Sequence, residues 1–220
     1  MNNKNNIIGW VLIALIFIGF MFYQSKQIEK QQAYQAQLDS IAAVEQLAQW
    51  KAEGHTLHPV SVNYSSNQLN DHGYVDFVIE LLEKYDVPPC YLEIEITEGL
   101  FLEKSALADQ IFKRFKAIGI RLLMDDFGTG YSSLGYLSYI PVDVIKLDKS
   151  LVDAYLVNGK ETFIRDVILM MHDLGKEMII EGVEEDWQFE RLREFGADVI
   201  QGYYFSKPIP ADQAIVFTVS

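Results

Sequence analysis

The chain has few of the residues that build disulfides, zinc sites or nucleic-acid surfaces. Its 220 residues include a single cysteine, Cys90, and four histidines. One cysteine excludes an internal disulfide. The histidines lie in predicted loops or helices away from the strand ends, which argues against a histidine-based zinc site. With 18 basic and 31 acidic residues the formal net charge is −13, so we expect no binding to a nucleic-acid polymer.

The amino terminus differs from the rest of the chain. Residues 7–23 form an apolar run without a charged side chain, which reaches the lower end of the length needed to cross a bilayer as a helix. A cleaved signal peptide is the alternative, but no Ala-x-Ala arrangement follows the run. We predict a transmembrane anchor at residues 1–25 and a glutamine-rich polar stalk at residues 26–42. Flanking lysines are balanced on the two sides, so charge does not fix the orientation.

From residue 43 onward, strand signals alternate with helix signals, and half of all residues are hydrophobic. This alternation predicts an α/β domain, residues 43–220, built from parallel strands joined by helices. The predicted strands are residues 60–64, 91–97, 121–125, 143–148, 178–182 and 198–205, and the predicted helices include residues 41–53, 74–85, 105–118, 134–139, 161–174 and 187–195.

Polar side chains fall late in each predicted strand, where a parallel architecture collects functional groups. They are Asn63, Glu95, Glu98, Asp125, Asp126, Lys146, Asp148, Glu181, Glu184 and Gln201. Alternatives stay open for some of them: the Asp125–Asp126 pair also suits a glycine-rich turn, and Glu95 could face solvent on a half-exposed strand. Lys146 lies in an apolar strand and needs partners, which the carboxylates can supply. Carboxylates and an amide at one edge predict a Mg²⁺ or Mn²⁺ site.

Seven segments in fixed order resemble the EAL-domain family of cyclic di-GMP phosphodiesterases. They are QLAQW at 46–50, VSVN at 60–63, LEIEITE at 92–98, DDFGTGYSSL at 125–134, IKLD at 145–148, EGVE at 181–184 and QGYYFSKP at 201–208. The resemblance implies hydrolysis of cyclic di-GMP to linear pGpG at a two-metal site. It places metal ligands at Asn63, Glu95, Asp125 and Asp126, catalytic groups at Lys146, Glu181 and Gln201, and a loop-stabilising glutamate at Glu98. Residues 127–134 are implied to take part in homodimer formation.

The family's Glu-Ala-Leu motif and its opening strands have no counterpart in this chain. The resemblance therefore implies an incomplete TIM-like (β/α) barrel of about six parallel strands, preceded by one transmembrane helix, with one metal ligand absent. Two alternatives to an enzyme follow: an inactive module that binds cyclic di-GMP or a protein partner, and a non-functional fusion fragment. The first 43 residues separately resemble the amino-terminal membrane segment of a membrane protein insertase. We expect a single-pass protein of the inner membrane with its EAL portion in the cytoplasm.

Overall fold

The computed structural model describes residues 2–65, 68–69, 73–102, 106–129, 137–138 and 140–217; the side chains of residues 2–23, 25–26, 29 and 102 are outside that description. Six strands are described: β1 (Val60–Tyr64), β2 (Leu92–Thr97), β3 (Arg121–Phe127), β4 (Val144–Leu147), β5 (Glu177–Ile180) and β6 (Val199–Ile200). The α-helices are α1 (Asn2–Ala52), α2 (Tyr74–Tyr85), α3 (Glu98–Leu102), α4 (Ala106–Ile118), α5 (Lys149–Leu151), α6 (Thr162–Asp173), α7 (Asp186–Glu194) and α8 (Ala211–Ala214). A π-helix, Val152–Val157, follows α5, and a 3₁₀ turn, Pro89–Tyr91, precedes β2.

The six strands form one sheet in the order in which they occur along the chain. Every neighbouring pair is parallel, and helices connect most of them, because a parallel pair needs a long crossover connection and not a tight turn. Within the described residues, β1 and β6 are the two edges of this sheet. The α/β class and the six parallel strands predicted from the sequence are confirmed.

One face of the sheet packs against the helices and forms the main hydrophobic core. Val62, Ile94, Leu122, Ile145 and Met178 are buried there, one from each of the first five strands. Side chains alternate between the two faces of a strand, so the residues between these apolar ones point to the opposite face. That opposite face carries the polar side chains of the chain's strand ends.

Aromatic rings join the first strand to the helices that cover it. Tyr64 of β1 lies edge-on to Phe112 and Phe115 of α4, with ring centroids 6.3 and 6.0 Å apart. Tyr74 of α2 lies 5.5 Å from the Tyr64 ring, and its hydroxyl is 2.7 Å from the hydroxyl of Ser40 on α1. These contacts fix the edge strand β1 between three helices.

The predicted element bounds agree with the structure in the middle of the chain and differ at its end. Strand 60–64 and helix 74–85 have the bounds that their patterns predict. The last predicted strand, residues 198–205, is reduced to β6, because the chain turns at Gly202, where Tyr204 N donates to Val183 O at 3.0 Å. The short helix predicted at residues 134–139 falls largely outside the described residues.

Helix α1 is continuous through the predicted anchor, stalk and first domain helix. One side of this helix becomes buried from Ala36 onward, and Val44, Leu47 and Trp50 belong to the hydrophobic core. The predicted boundary between stalk and domain near residue 43 stays a prediction. Where side chains are described, no helix has both the length and the apolar character needed to cross a bilayer; the apolar run at residues 7–23 lies outside that part.

Two leucines of α1 test whether its carboxyl-terminal part is integral to the domain. Leu47 is fully buried, whereas Leu38 is 37% exposed. We expect Leu47→Ala to lower the free energy of unfolding by about 3 kcal/mol, because it leaves a cavity in the core. Leu38→Ala is the matched control and should cost less than about 1 kcal/mol. Urea denaturation followed by circular dichroism measures both; equal effects of the two substitutions would contradict the packing of α1.

Candidate functional site

Strand register brings the predicted site residues to one face of the sheet. Asn63 of β1 is the register partner of Glu95 on β2. Glu95 in turn pairs with Leu123, two residues before Asp125 on β3. Because side chains alternate with a period of two, Asn63, Glu95 and Asp125 share a face.

The same pairing register continues from β3 to β6. Leu123 pairs with Val144, two residues before Lys146, and Lys146 pairs with Ile179, two residues before Glu181. Val199 continues this register on β6, and Gln201 follows two residues later. The sheet thus collects residues that lie in or directly after its six described strands at the carboxyl ends of one face.

The centre of the site is the Lys146 ammonium, which three carboxylates surround. Its Nζ lies 2.8 Å from Glu181 Oε1, 2.9 Å from Asp125 Oδ1 and 3.1 Å from Glu95 Oε2. Lys146 is only 7% exposed. A buried lysine is costly unless it is paired, and here β2, β3 and the residue directly after β5 each supply one negative partner. This lysine-centred group is called the Lys146 cluster below.

The Lys146 cluster changes the protonation of its members. Burial by itself would lower the pKa of Lys146, but hydrogen bonds to Glu181 and Asp125 and the charge of Glu95 outweigh it and raise the pKa well above its ordinary value. Burial raises the pKa of Glu181, although Lys146 opposes the shift. Lys146 is therefore a cation at neutral pH, and Glu181 is a stronger base than an ordinary glutamate.

Asp126, the residue after Asp125, lies at an irregularity near the end of β3. The register between β3 and β4 shifts between Met124 and Phe127, and Asp126 has a left-handed backbone with φ 58°. A bulge of this kind re-aims side chains at the end of a strand. Partial burial, followed by the charges of Asp125 and Asp148, raises the pKa of Asp126.

Glu98 holds the loop that follows β3. It is 3% exposed, and its Oε2 accepts a hydrogen bond from Gly128 N at 3.2 Å. Gly128 has φ +96°, and a Cβ there would lie 2.1 Å from Leu151 Cδ1, so this position requires glycine. Glu98 and the glycine together fix the start of the loop; residues 130–134 of the same loop are outside the described residues.

Asn63 and Gln201 flank the Lys146 cluster without joining it. Both side chains are exposed, and within the described structure neither hydrogen-bonds to the three carboxylates. Gln201 is held by its backbone, since its N donates to Ile180 O at 2.8 Å and its O accepts from Val183 N at 3.1 Å. The amides of Asn63 and Gln201 are thus available at opposite ends of the row of strand ends.

The side chains of this site offer the oxygen ligands that a hard cation binds. The same side chains are not yet grouped closely enough to form a metal site. Asp125 Oδ1 is buried and lies 2.9 Å from Lys146 Nζ; a carboxylate oxygen can accept from an ammonium and still offer a lone pair to a cation. Among the described residues, however, no three histidine, cysteine, aspartate or glutamate side chains are grouped as a metal site requires. Asp148, outside the ligand set that the family resemblance implies, directly follows β4, and its Oδ1 accepts a hydrogen bond from Ser150 N at 2.9 Å at the start of α5.

Comparison with protein families matches the EAL domain over residues 35–208. Signaling protein YkoW of Bacillus subtilis (strain 168) is 36% identical over 178 residues, which cover 80% of this chain and 22% of that protein. Cyclic di-GMP phosphodiesterase PdeR of Escherichia coli (strain K12) is 34% identical over 169 residues, 76% of this chain and 25% of that protein. The chain thus spans a quarter or less of the length of these relatives.

Solved structures show the same similarity in three dimensions. The PaMucR phosphodiesterase in complex with c-di-GMP superposes with a TM-score of 0.78 and 28% identity, covering 88% of this chain and 79% of that one. The EAL domain of Mycobacterium smegmatis DcpA superposes with a TM-score of 0.76 and 27% identity, covering 84% and 83% of the two chains.

Removal of the Glu98 carboxylate should loosen the loop that begins at Gly128. A hydrogen bond to a charged acceptor contributes about 1.5–3 kcal/mol, so we expect Glu98→Ala to accelerate amide hydrogen exchange at residues 127–129 by about tenfold or more. Glu98→Gln keeps an acceptor oxygen and should change the rate much less. Exchange mass spectrometry measures this, with Glu80→Ala on the exposed side of α2 as the control. Unchanged protection in Glu98→Ala would show that Gly128 is held by other contacts.

Proposed function

Since the chain belongs to the EAL domain family, we propose that its strand-end site binds cyclic di-GMP with divalent cations and hydrolyses it to linear pGpG. The observation that supports this most is the Lys146 cluster, in which carboxylates from three strands meet at the carboxyl-terminal edge of a parallel sheet. Relatives named as cyclic di-GMP phosphodiesterases and a structural neighbour in complex with c-di-GMP support the choice of substrate.

Four side chains would hold Mg²⁺ or Mn²⁺: Asn63, Glu95, Asp125 and Asp126. All four offer oxygen ligands, which these cations prefer. When bound, such cations stabilise the negative charge of a phosphodiester in the transition state and make water a stronger nucleophile. The acidic surroundings of the site, including Asp148, favour cations over a free nucleotide.

Lys146, Glu181 and Gln201 would orient the reacting groups and move the proton. Lys146, as an ammonium, would donate hydrogen bonds and orient water or a phosphoryl oxygen. Glu181, whose Oε1 lies 2.8 Å from Lys146 Nζ, would accept the proton that the attacking water releases. Gln201, whose exposed amide both donates and accepts, suits the positioning of water at the edge of the site.

Binding without hydrolysis is the second candidate. It is favoured by the absence, within the described residues, of a grouped set of three acidic or histidine metal ligands, and by the missing Glu-Ala-Leu motif in the sequence. Within the described residues β1 and β6 are edge strands of the sheet, and an edge strand can pair with another chain. In this case the chain would act as a cyclic di-GMP sensor or an interaction module.

We also propose that residues 1–25 anchor the chain as a single-pass protein in the inner membrane, with the EAL portion in the cytoplasm. The uncharged run at residues 7–23 and the unbroken helix that links it to the domain support this arrangement. We further propose a homodimer that forms through residues 127–134. The hydrogen bond between Gly128 N and Glu98 orders the start of that segment and supports its use as a contact surface.

The full chain in detergent, supplied with Mn²⁺ or Mg²⁺ and cyclic di-GMP, should release pGpG. Asp125→Asn removes a charge from the proposed cation ligands and should lower the rate by about 100-fold. Asp166→Asn, on the exposed side of α6, is the control and should retain activity. Chromatography of the nucleotides measures the product. Calorimetric binding of cyclic di-GMP without product would favour the sensor; neither binding nor product would reject both candidates.

Membrane anchoring predicts that the full chain resists extraction from membranes at alkaline pH. An apolar helix that spans the bilayer stays in the membrane pellet, whereas deletion of residues 2–25 should release the protein into the supernatant. Immunoblotting of the two fractions measures the distribution. Complete extraction of the full chain by carbonate would exclude a transmembrane anchor.

A further inference from the structure

Lys146 and a divalent cation require the same oxygens. The proposed ligands Glu95 and Asp125 each direct an oxygen to Lys146 Nζ, at 3.1 and 2.9 Å. The third partner, Glu181, lies 2.8 Å away. One ammonium thus lies between the three carboxylates. A small metal cation that bound these carboxylates would need the same position.

The ammonium of this site is buried and its carboxylate partners are partly buried, which reduces the screening of their charges by solvent. The Lys146 side chain is 8% exposed, and its three partners are 14% to 19% exposed. When one charge of such a group is removed, the remaining charges are left without compensation, and the fold is destabilised. Without the ammonium, three carboxylates from three strands would repel one another at close range.

We infer that Lys146 is an internal counter-ion that stabilises the fold and competes with divalent cations for Glu95 and Asp125. This role rests on the proposed function, since it assumes that these two carboxylates are cation ligands. It makes Lys146 a positioning residue for the cation as well as a hydrogen-bond donor in the site. Its consequence is that loss of the lysine should weaken the fold and strengthen cation binding at the same time, which a purely catalytic lysine would not do.

The test compares the full chain with Lys146→Met and Lys149→Met. Methionine keeps an unbranched side chain of similar length but has no charge. Lys149 is the matched control because it lies three residues away at the same edge, pairs with Asp153 and Glu184 at 3.2 and 3.4 Å, and is 43% exposed. Thermal unfolding in EDTA and in Mn²⁺ measures stability, and titration calorimetry measures the affinity for Mn²⁺ alone, without nucleotide.

In EDTA we expect Lys146→Met to unfold about 10 °C below the native chain. Lys149→Met should shift the midpoint by less than about 3 °C, as exposed ion pairs contribute little. Lys146→Met should bind Mn²⁺ about tenfold more tightly or better, because the competing charge is gone. Saturating Mn²⁺ should then restore most of the lost stability, since a ligand stabilises the state that it binds.

Each outcome separates this inference from the proposed function. If the native chain binds Mn²⁺ and Lys146→Met binds it no more tightly, competition is wrong while the cation site stands. If Lys146→Met is as stable as the native chain in EDTA, the counter-ion role is wrong. If neither protein binds Mn²⁺, both the cation site and the competition are rejected. Binding by Lys146→Met alone would support the competition and count against hydrolysis by the native chain.

Discussion

The structure of the site depends on one constraint: a buried ammonium must be matched by carboxylates that come from separate strands. Lys146 meets this constraint only if β2, β3 and β5 keep the register that brings Glu95, Asp125 and Glu181 around its Nζ. A slip of one residue in any strand would turn its carboxylate to the helix-covered face. The charged cluster and the parallel register therefore specify each other.

One face of the sheet stabilises the fold, and the other face carries the candidate site. The helix-covered face is apolar throughout, from Val62 on β1 to Met178 on β5. The other face is polar at both ends: beyond the Lys146 cluster, Glu93 lies 3.2 Å from Ser61 Oγ and 3.3 Å from an Arg121 nitrogen, toward the amino-terminal end of the strands. Burial raises the pKa of Glu93 despite these partners. Burial of charge on this face opposes folding, and the apolar face supplies the compensating free energy.

Much of this arrangement is predictable from the sequence, because charged residues at the ends of apolar strands have few structural reasons to be there. The pattern placed Asp125, Lys146 and Glu181 at strand ends, where the structure has them. It could not show which carboxylates surround Lys146, since that depends on register between strands distant in sequence. It also missed the left-handed conformation of Asp126 and the π-helix Val152–Val157, because apolar periodicity carries no signal for either.

The last strand shows how a short element can still position a site residue. β6 pairs with β5 over two residues only, yet Gln201 is fixed by backbone bonds to Ile180 and Val183 on both sides. Those bonds require the next residue to pass against the backbone of Val183, where a Cβ on Gly202 would lie 2.0 Å from the carbonyl oxygen. A glycine, and not strand length, therefore sets the position of the Gln201 amide. The same close approach ends the strand, so the sequence pattern that predicted residues 198–205 as one strand failed at the position on which the site depends.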